Sequence, residues 1–360
     1  ALTTANFTRN NQNGLPAANI NNPPNPNLSW EKTGILNLGI EFGSKNGRLS
    51  GNIEYYSKKG IDLIGQSPLD PTSGQTSFRG NVANMKGSGI DIELRSLNST
   101  GKLRWESNFL FSYTTDVITN YAISPVFASY MTDASLTGSH TSFTPTPGKP
   151  LFGIYSKQWA GLDPNTGNPM GYVQGVPSTN YSILNSSSGQ TVDSLVFHGR
   201  ALPPVFGALR NSFSLKGFTL SGNITYRFGY YFKRRSIEYS TLFTTGRSHS
   251  DYTLRWQKPG DEAYTSVPAF PADNNSARDN FYRNAEILVE KGDNLRLQDI
   301  SLSYDLTNKQ WPKLPVRKLS IFIYLNNGGL LWTANEKSID PDYPDMKLSR
   351  SIAFGLRTTL

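Results

Sequence analysis

Apolar residues recur at every second position along much of the chain. The last stretch, RSIAFGLRTTL, sets Ile352, Phe354 and Leu356 against Ser351, Ala353, Gly355 and Arg357. Successive side chains of a strand point to opposite faces, so such a segment has one greasy face and one polar face. GILNLGIEF places Leu36, Leu38, Ile40 and Phe42 together, and RLSGNIEYY groups Leu49, Gly51, Ile53 and Tyr55 against Arg48, Ser50, Asn52 and Glu54. Ile90, Ile92 and Leu94 oppose Asp91, Glu93 and Arg95, while Leu103, Trp105, Phe109, Phe111 and Tyr113 share a face. FTLSGNITYRFGY is the clearest case, with Phe218, Leu220, Ile224, Tyr226 and Phe228 against Thr219, Ser221, Asn223, Thr225 and Arg227. ALRNSFSL and LSIFIYL repeat the pattern more weakly. In NLRLQDISLSYDL the apolar parity switches between Leu297 and Ile300, which predicts a β-bulge near Gln298–Asp299. Helical periodicity is almost absent, and the strands number about nine.

The connections alternate in length. GSKN, NSTG, KG and TNKQWPKLP are short, whereas 59–86, 119–206, 232–293 and 327–349 read as long loops. A soluble β-sandwich has no reason to gather its long loops at one end. An outer-membrane barrel does, with short periplasmic turns and long extracellular loops. The polar faces carry Glu54, Asp91, Glu93, Arg95, Arg104, Glu106 and Arg227, which would be costly in a dry core and are ordinary in a wet or plugged lumen. Trp30, Tyr55, Trp105, Tyr230 and Tyr304, near strand ends, fit aromatic girdles. The pattern predicts an all-β fold, an antiparallel transmembrane β-barrel whose greasy face meets lipid. Single-chain bacterial barrels have even strand numbers. Nine strands, with a loop-like start at ALTTANFTRNNQNG and no leader, predict a C-terminal part of a larger barrel: 1–29 as a loop remnant and 30–360 as barrel strands and loops.

Composition narrows the alternatives. The chain has 360 residues, a formal net charge of +8 and no cysteine, with a pI near 9.4 and a mean hydropathy of −0.44. The charge invites a nucleic-acid reading, but the densest basic run is only FKRRS at 232–236, which reads as a solvated or lipopolysaccharide-facing rim, so no nucleic-acid partner is expected. No run of 18 apolar residues predicts a membrane helix. Without cysteine, disulfides and thiolate metal sites are excluded.

Several stretches resemble the SusC/RagA family of TonB-dependent outer-membrane transporters. LSWEKTGILNLGIEFGSKNGRLSGNIEYYSKKGIDLI (28–64) resembles the family's Trp-Glu-Lys-Thr strand running into Tyr-Tyr-x-Lys-Lys. NVANMKGSGIDIELRS (81–96), AGLDPNTGNPMGY (160–172), TLRWQKPGDEA (253–263) and VEKGDNLRLQDISLSYDL (289–306) resemble further family segments in the same order. Two positions depart from it: Asn294 stands where an aromatic is common, and the chain closes on Leu360 rather than an aromatic. The resemblance implies the wall of a plugged barrel in the cell outer membrane, a SusD-like surface lipoprotein as lid, and energy passed from the TonB complex through an N-terminal region. It implies import of small oligosaccharides or peptides, without a cofactor.

No catalytic constellation is present. His140, His198 and His249 lie in loops without metalloprotease spacing, and nucleophile-elbow and P-loop patterns are missing. DPNTGNP (163–169) and DPDYPD (340–345) have oxygens at spacings Ca²⁺ could use, but neither matches an EF-hand loop and both are rich in turn-forming dipeptides, so no metal site is assigned. The long loops carry aromatics that could stack on a ligand or on one another. Trp159, Tyr172 and Trp256 are the candidate substrate contacts. Two other readings remain at this stage: a passive porin, and a surface glycan-binding or adhesive β-protein.

Overall fold

The computed structural model describes residues 4–9, 14–68, 70, 72, 77–124, 127–130, 145–307, 311–313, 315–344 and 346–359. His140 and Leu360 lie outside the described residues. Nine strands form one antiparallel sheet in chain order: β1 (Lys32–Gly43), β2 (Leu49–Pro68), β3 (Ser77–Thr100), β4 (Leu103–Tyr121), β5 (Val205–Leu215), β6 (Phe218–Phe228), β7 (Asn294–Thr307), β8 (Lys318–Thr333) and β9 (Ser351–Thr359). Ahead of the sheet, Thr4–Arg9 and Pro16–Asn22 pair as a separate hairpin, so the stretch expected as a loop remnant has its own pairing.

The register sorts the side chains into continuous rows. Trp105, Phe213, Leu220, Leu302, Ile323 and Phe354 lie opposite one another across six strands. Leu103, Leu215, Phe218, Tyr304, Ile321 and Leu356 form the next apolar row. These side chains have no protein to cover them, and Phe354 is 76% exposed. Each large apolar side chain left in water forgoes about 1.5–3 kcal/mol, so a face of this extent needs an apolar medium. Among the described residues no helix is long and apolar enough to cross a membrane.

The expected bulge is present. Gln298 drops out of register on both sides, with Asn223 opposite Asp299 and Ile224 opposite Leu297, and a matching break against β8. The extra residue keeps Leu297 and Ile300 on the apolar face and turns Asp299 to the polar one. The turn between β5 and β6 is Lys216–Gly217, both at positive φ, as a two-residue hairpin turn of this hand requires.

Four boundaries, in three of the long loops, differ from the alternation. β2, β3 and β4 run for 20, 24 and 19 residues, about twice the 9–11 needed to cross a bilayer. β2 therefore reaches Pro68, β3 begins at Ser77, and most of 59–86 is strand. β4 continues to Tyr121 and β8 to Thr333. Outside lipid neither face needs to be greasy, so the period fades while the pairing continues.

The buried apolar residues sit almost entirely off the sheet. Phe127, Tyr130, Ile154, Leu162, Leu184, Ile237, Tyr239, Phe281 and Leu288 form the core of a compact unit at the long-loop end. That unit is built from the β4–β5 and β6–β7 connections. Gly153–Lys157 pairs with Leu195–Arg200, Tyr231–Lys233 with Val289–Lys291, and Gly171–Val173 with Val176–Ser178. Two helices, Tyr239–Thr245 and Ser276–Arg283, complete it. A parallel bridge between Lys157 and Ala285, with the Lys157 amide donating to the Asn284 carbonyl at 2.8 Å, ties one connection to the other.

Candidate functional site

The polar face of the sheet and the loop unit above it hold the charged chemistry. Along the polar face, Glu54, Asp91, Ser112, Phe206, Arg227 and Asn294 form one row. The bulge sets Asp299 where the Arg210 guanidinium donates to both its oxygens at 3.0 Å and Asn223 adds a third bond at 3.2 Å. One turn of sheet higher, Arg296 donates to Asp340 at 2.5 Å, to Asp342 at 3.2 Å and to the Asn327 side chain at 3.3 Å. Arg227 pairs with Asp342 as well. Arg296 is 5% exposed, so the guanidinium is buried and its carboxylates are needed to keep it so. The Asp340–Asp342 segment is thereby strapped onto the polar face. In DPDYPD, Asp340 and Asp342 are thus occupied by arginines, and Asp345 lies outside the described residues. DPNTGNP is a turn in which the Asp163 carboxylate accepts from the amides of Asn165 and Thr166, at 2.8 and 3.1 Å.

Trp159 and Trp256 come together; Tyr172 stands apart. Trp256 is 7% exposed and packs with Leu162, Ala269 and Trp159. Its indole donates to Glu262 at 3.0 Å, and a Cβ on Gly167 would fall 2.4 Å from its ring. Trp159 stacks on Phe281 with centroids 6.5 Å apart and leans on Tyr282. Both tryptophans fasten the DPNTGNP turn to the rest of the unit. Tyr172 lies on the small hairpin, at the rim of a cleft that includes Lys157, Leu184, Gln190 and Phe281. Most other loop aromatics are interior: Tyr155 packs on Tyr130 and Phe197, and Tyr239 donates to the Pro268 carbonyl at 2.7 Å. Tyr264 is 92% exposed.

Several sequence readings change here. FKRRS does not form a solvated rim: Phe232 and Arg234 are buried, and Arg234 pairs with Asp251 at 2.8 Å and Glu290 at 3.4 Å. Burial alone would raise the Asp251 carboxyl, but hydrogen bonds from His249, Ser236 and Arg234 outweigh it and hold it well below the usual carboxylate range. Tyr230 is no girdle residue, because its ring lies under Gly292 and its hydroxyl accepts from Asn294 at 2.9 Å.

Sequence reasoning missed the buried cations. Arg278 is 2% exposed, bonds Asn168 at 2.8 Å and the Ala269 carbonyl at 2.7 Å, and lies over the Tyr239 ring. Its helix starts at an Asn275 cap that accepts from the Arg278 amide at 3.0 Å. The Asn275 cap was the available signal, since eight residues are too few to display a helical period. Lys157 is 4% exposed; burial, then Lys233 and Arg283 nearby, bring its amine down to about 7.

No family model matches the chain. It is 25% identical, over 95% of its length, to TonB-dependent receptor P26 of Formosa agariphila, and 22% identical over 91% to TonB-dependent receptor P39 of the same organism. A stretch covering 26% of the chain is 28% identical to TonB-dependent receptor SusC of Bacteroides thetaiotaomicron. Over most of its length the chain is similar to part of a TonB-dependent receptor of the SusC/RagA family. It spans about a third of the length of P26 and P39, 34% of each. The fold agrees: the RagAB peptide importer in its open-open state superposes with a TM-score of 0.69 at 20% identity, covering 100% of this chain and 38% of that one. A second structure of the RagAB peptide transporter gives 0.68 at 21% identity, with 99% and 38% covered. The nine strands are therefore part of an outer-membrane barrel wall, their apolar face toward lipid and their polar face toward the lumen.

Proposed function

We propose that this receptor is an energy-coupled importer of small oligomeric nutrients, oligosaccharides or peptides, and that these residues supply wall and outward vestibule. The observation that carries the reading is the loop unit: two long connections fold into one packed body at one end of a lipid-facing sheet. A passive pore has no need of so large a folded mouth. A receptor that must hold a ligand before moving it does. The polar wall below, with the strap of Asp340–Asp342 across it, suits a lumen through which a hydrogen-bonding cargo passes.

The similarity to RagAB supports peptides ahead of sugars. It also supports a SusD-like lipoprotein seated on the loop unit and coupling to TonB through a region outside these residues. Tyr172 and Tyr264, with Phe243 and Phe270, are among the exposed aromatics of the loop unit open to such a partner or ligand, while Trp159 and Trp256 pack together within it. Uptake of fluorescent peptides and of labelled oligosaccharides by cells with and without the gene tests the reading. Loss of peptide uptake on deletion, restored by the gene, is expected, together with a surface lipoprotein that co-purifies. Unchanged uptake of both cargo classes would contradict it.

A further inference from the structure

On the lipid side of the sheet the rows continue past the apolar band. Leu38, Tyr55, Ile90 and Tyr113 lie opposite one another at the long-loop edge of that band, with both tyrosine rings exposed. Aromatic rings at such an edge mark the boundary between hydrocarbon and headgroups. The next row on this side is Leu36, Ser57, Ser88 and Thr115, and the one beyond it is Gly34, Lys59, Lys86 and Val117. The register is unbroken from Tyr55–Ile90 to Lys59–Lys86, so the two lysines share the lipid side with the tyrosines. They stand four residues farther along each strand, about 13 Å of chain toward the long loops. Both are exposed. Directly opposed side chains have Cβ atoms about 4.5–5.5 Å apart, and like charges so placed repel. Among the described residues neither lysine has a carboxylate partner: Asp62 is taken by Lys32 at 3.7 Å, and Glu31 accepts from the Ile64 amide at 2.6 Å. Gly34 leaves the end of the row open, since a Cβ there would meet nothing within 4 Å.

We propose that Lys59 and Lys86 together hold the phosphate of an outer-leaflet lipid headgroup. Charge and position both argue for that occupant. A phosphate between two ammoniums replaces their repulsion with two charge-assisted contacts. The pair stands where the apolar band gives way to headgroups, so the anion comes attached to acyl chains that the band below already receives. Ser57 and Ser88, one row nearer the hydrocarbon, offer hydroxyls to the ester or sugar oxygens of the same headgroup. A soluble anion lacks that anchor, and at an open surface salt screens its attraction. The basic run FKRRS does not take this role, because Arg234 is buried. The contact fixes the height of the wall in the membrane, and with it the loop unit above. It rests on the lipid-facing wall and is independent of what the receptor imports.

Amine footprinting of the full-length receptor reads the two side chains directly. The receptor is reconstituted in discs of dioleoyl phosphatidylcholine, and in discs where a quarter of the lipid is dioleoyl phosphatidic acid. Brief acetylation is then mapped by peptide mass spectrometry. Phosphatidic acid is expected to slow acetylation of Lys59 and Lys86 by about fivefold each. Two lysines serve as controls and should change little: Lys58, one residue along and so on the lumen side, and Lys102, in the short turn between β3 and β4. Lys86→Gln should remove most of the protection at Lys59, because a single ammonium holds the anion weakly. Equal slowing at Lys102 would reveal a general surface-charge effect and overturn the proposal. So would the absence of slowing at Lys59 and Lys86, or full protection of Lys59 in K86Q. Inorganic phosphate added to phosphatidylcholine discs is expected to protect neither lysine. Protection equal to that by phosphatidic acid would assign the pair to a soluble anion and overturn the lipid site.

Discussion

Tyr226 arches over Gly207 on the lipid face, its hydroxyl donating to the Leu110 carbonyl at 2.9 Å. A Cβ at Gly207 would fall 2.1 Å from that carbonyl and 2.4 Å from the tyrosine hydroxyl. Tyr56 covers Gly89 in the same way on the polar face, reaching Thr114 at 2.8 Å, and Phe322 covers Gly355. In each pair a large ring is directly opposite a glycine, so ring and missing side chain are one packing decision. Gly207→Val should cost about 2 kcal/mol through displaced ring and strained ladder, seen as a lower unfolding temperature of the purified barrel; an unchanged temperature would count against it. At the buried cations the sign of the effect reverses. Lys157 has a folded value near 7 against an ordinary 10.5, so burying it opposes folding wherever the unfolded chain would carry the proton. The loop unit should gain stability as pH rises from about 7 to 10.5 and show no further Lys157 effect below 7. Lys157→Met should flatten that window and stabilise the unit at neutral pH by up to about 4 kcal/mol. Hydrogen exchange of the Gly153–Lys157 strand against pH measures it, and a profile identical to wild type would refute the assignment.

At the scale of elements, alternation reports lipid rather than strand. It was legible in β1, β6 and β9, where one face must be apolar, and it located the bulge at Gln298 because lipid penalises the wrong parity. It was not legible in Lys59–Pro68, Ser77–Ser88 or Asn326–Thr333, which are strands with water or protein on both faces. The loop unit was hidden for a related reason: its strands are three to six residues long and its helices no more than eight, too short for a period to accumulate. The aromatic loop residues were visible, but their burial was not, since nothing in Trp159 or Trp256 distinguishes a ring packed on Phe281 from one offered to a ligand. Their distinct placements predict distinct losses. Trp256→Ala should remove about 3 kcal/mol of packing and raise protease sensitivity across 160–170. Tyr172→Ala should leave stability within about 0.5 kcal/mol and weaken ligand binding instead. The reverse pattern would overturn these placements. The strap has its own test: Arg296→Ala leaves Asp340 and Asp342 without their buried partner, costs about 3 kcal/mol, and should release 339–343 to proteolysis while β7 and β8 stay paired. Continued protection of that segment would show that Arg296 does not hold it.

For the molecule as a whole, the division of labour follows from where the core lies. The sheet keeps its apolar side for lipid and its polar side for the lumen, so it holds no core of its own. The loop unit buries one, which lets the mouth be a rigid body on a lipid-supported wall. The central claim is that the greasy face of this sheet meets the bilayer. These 360 residues hold no cysteine, so once any cysteine elsewhere in the receptor is replaced by serine the claim is directly measurable. Single cysteines placed in turn from 351 to 357 in the full-length receptor, spin-labelled and reconstituted in lipid, would be assayed for collision with oxygen and with a water-soluble nickel chelate. The account predicts a two-residue alternation in which labels at Ile352, Phe354 and Leu356 collide with oxygen and are shielded from nickel, and those at Ser351, Ala353, Gly355 and Arg357 show the opposite. Equal nickel access on both faces would contradict it.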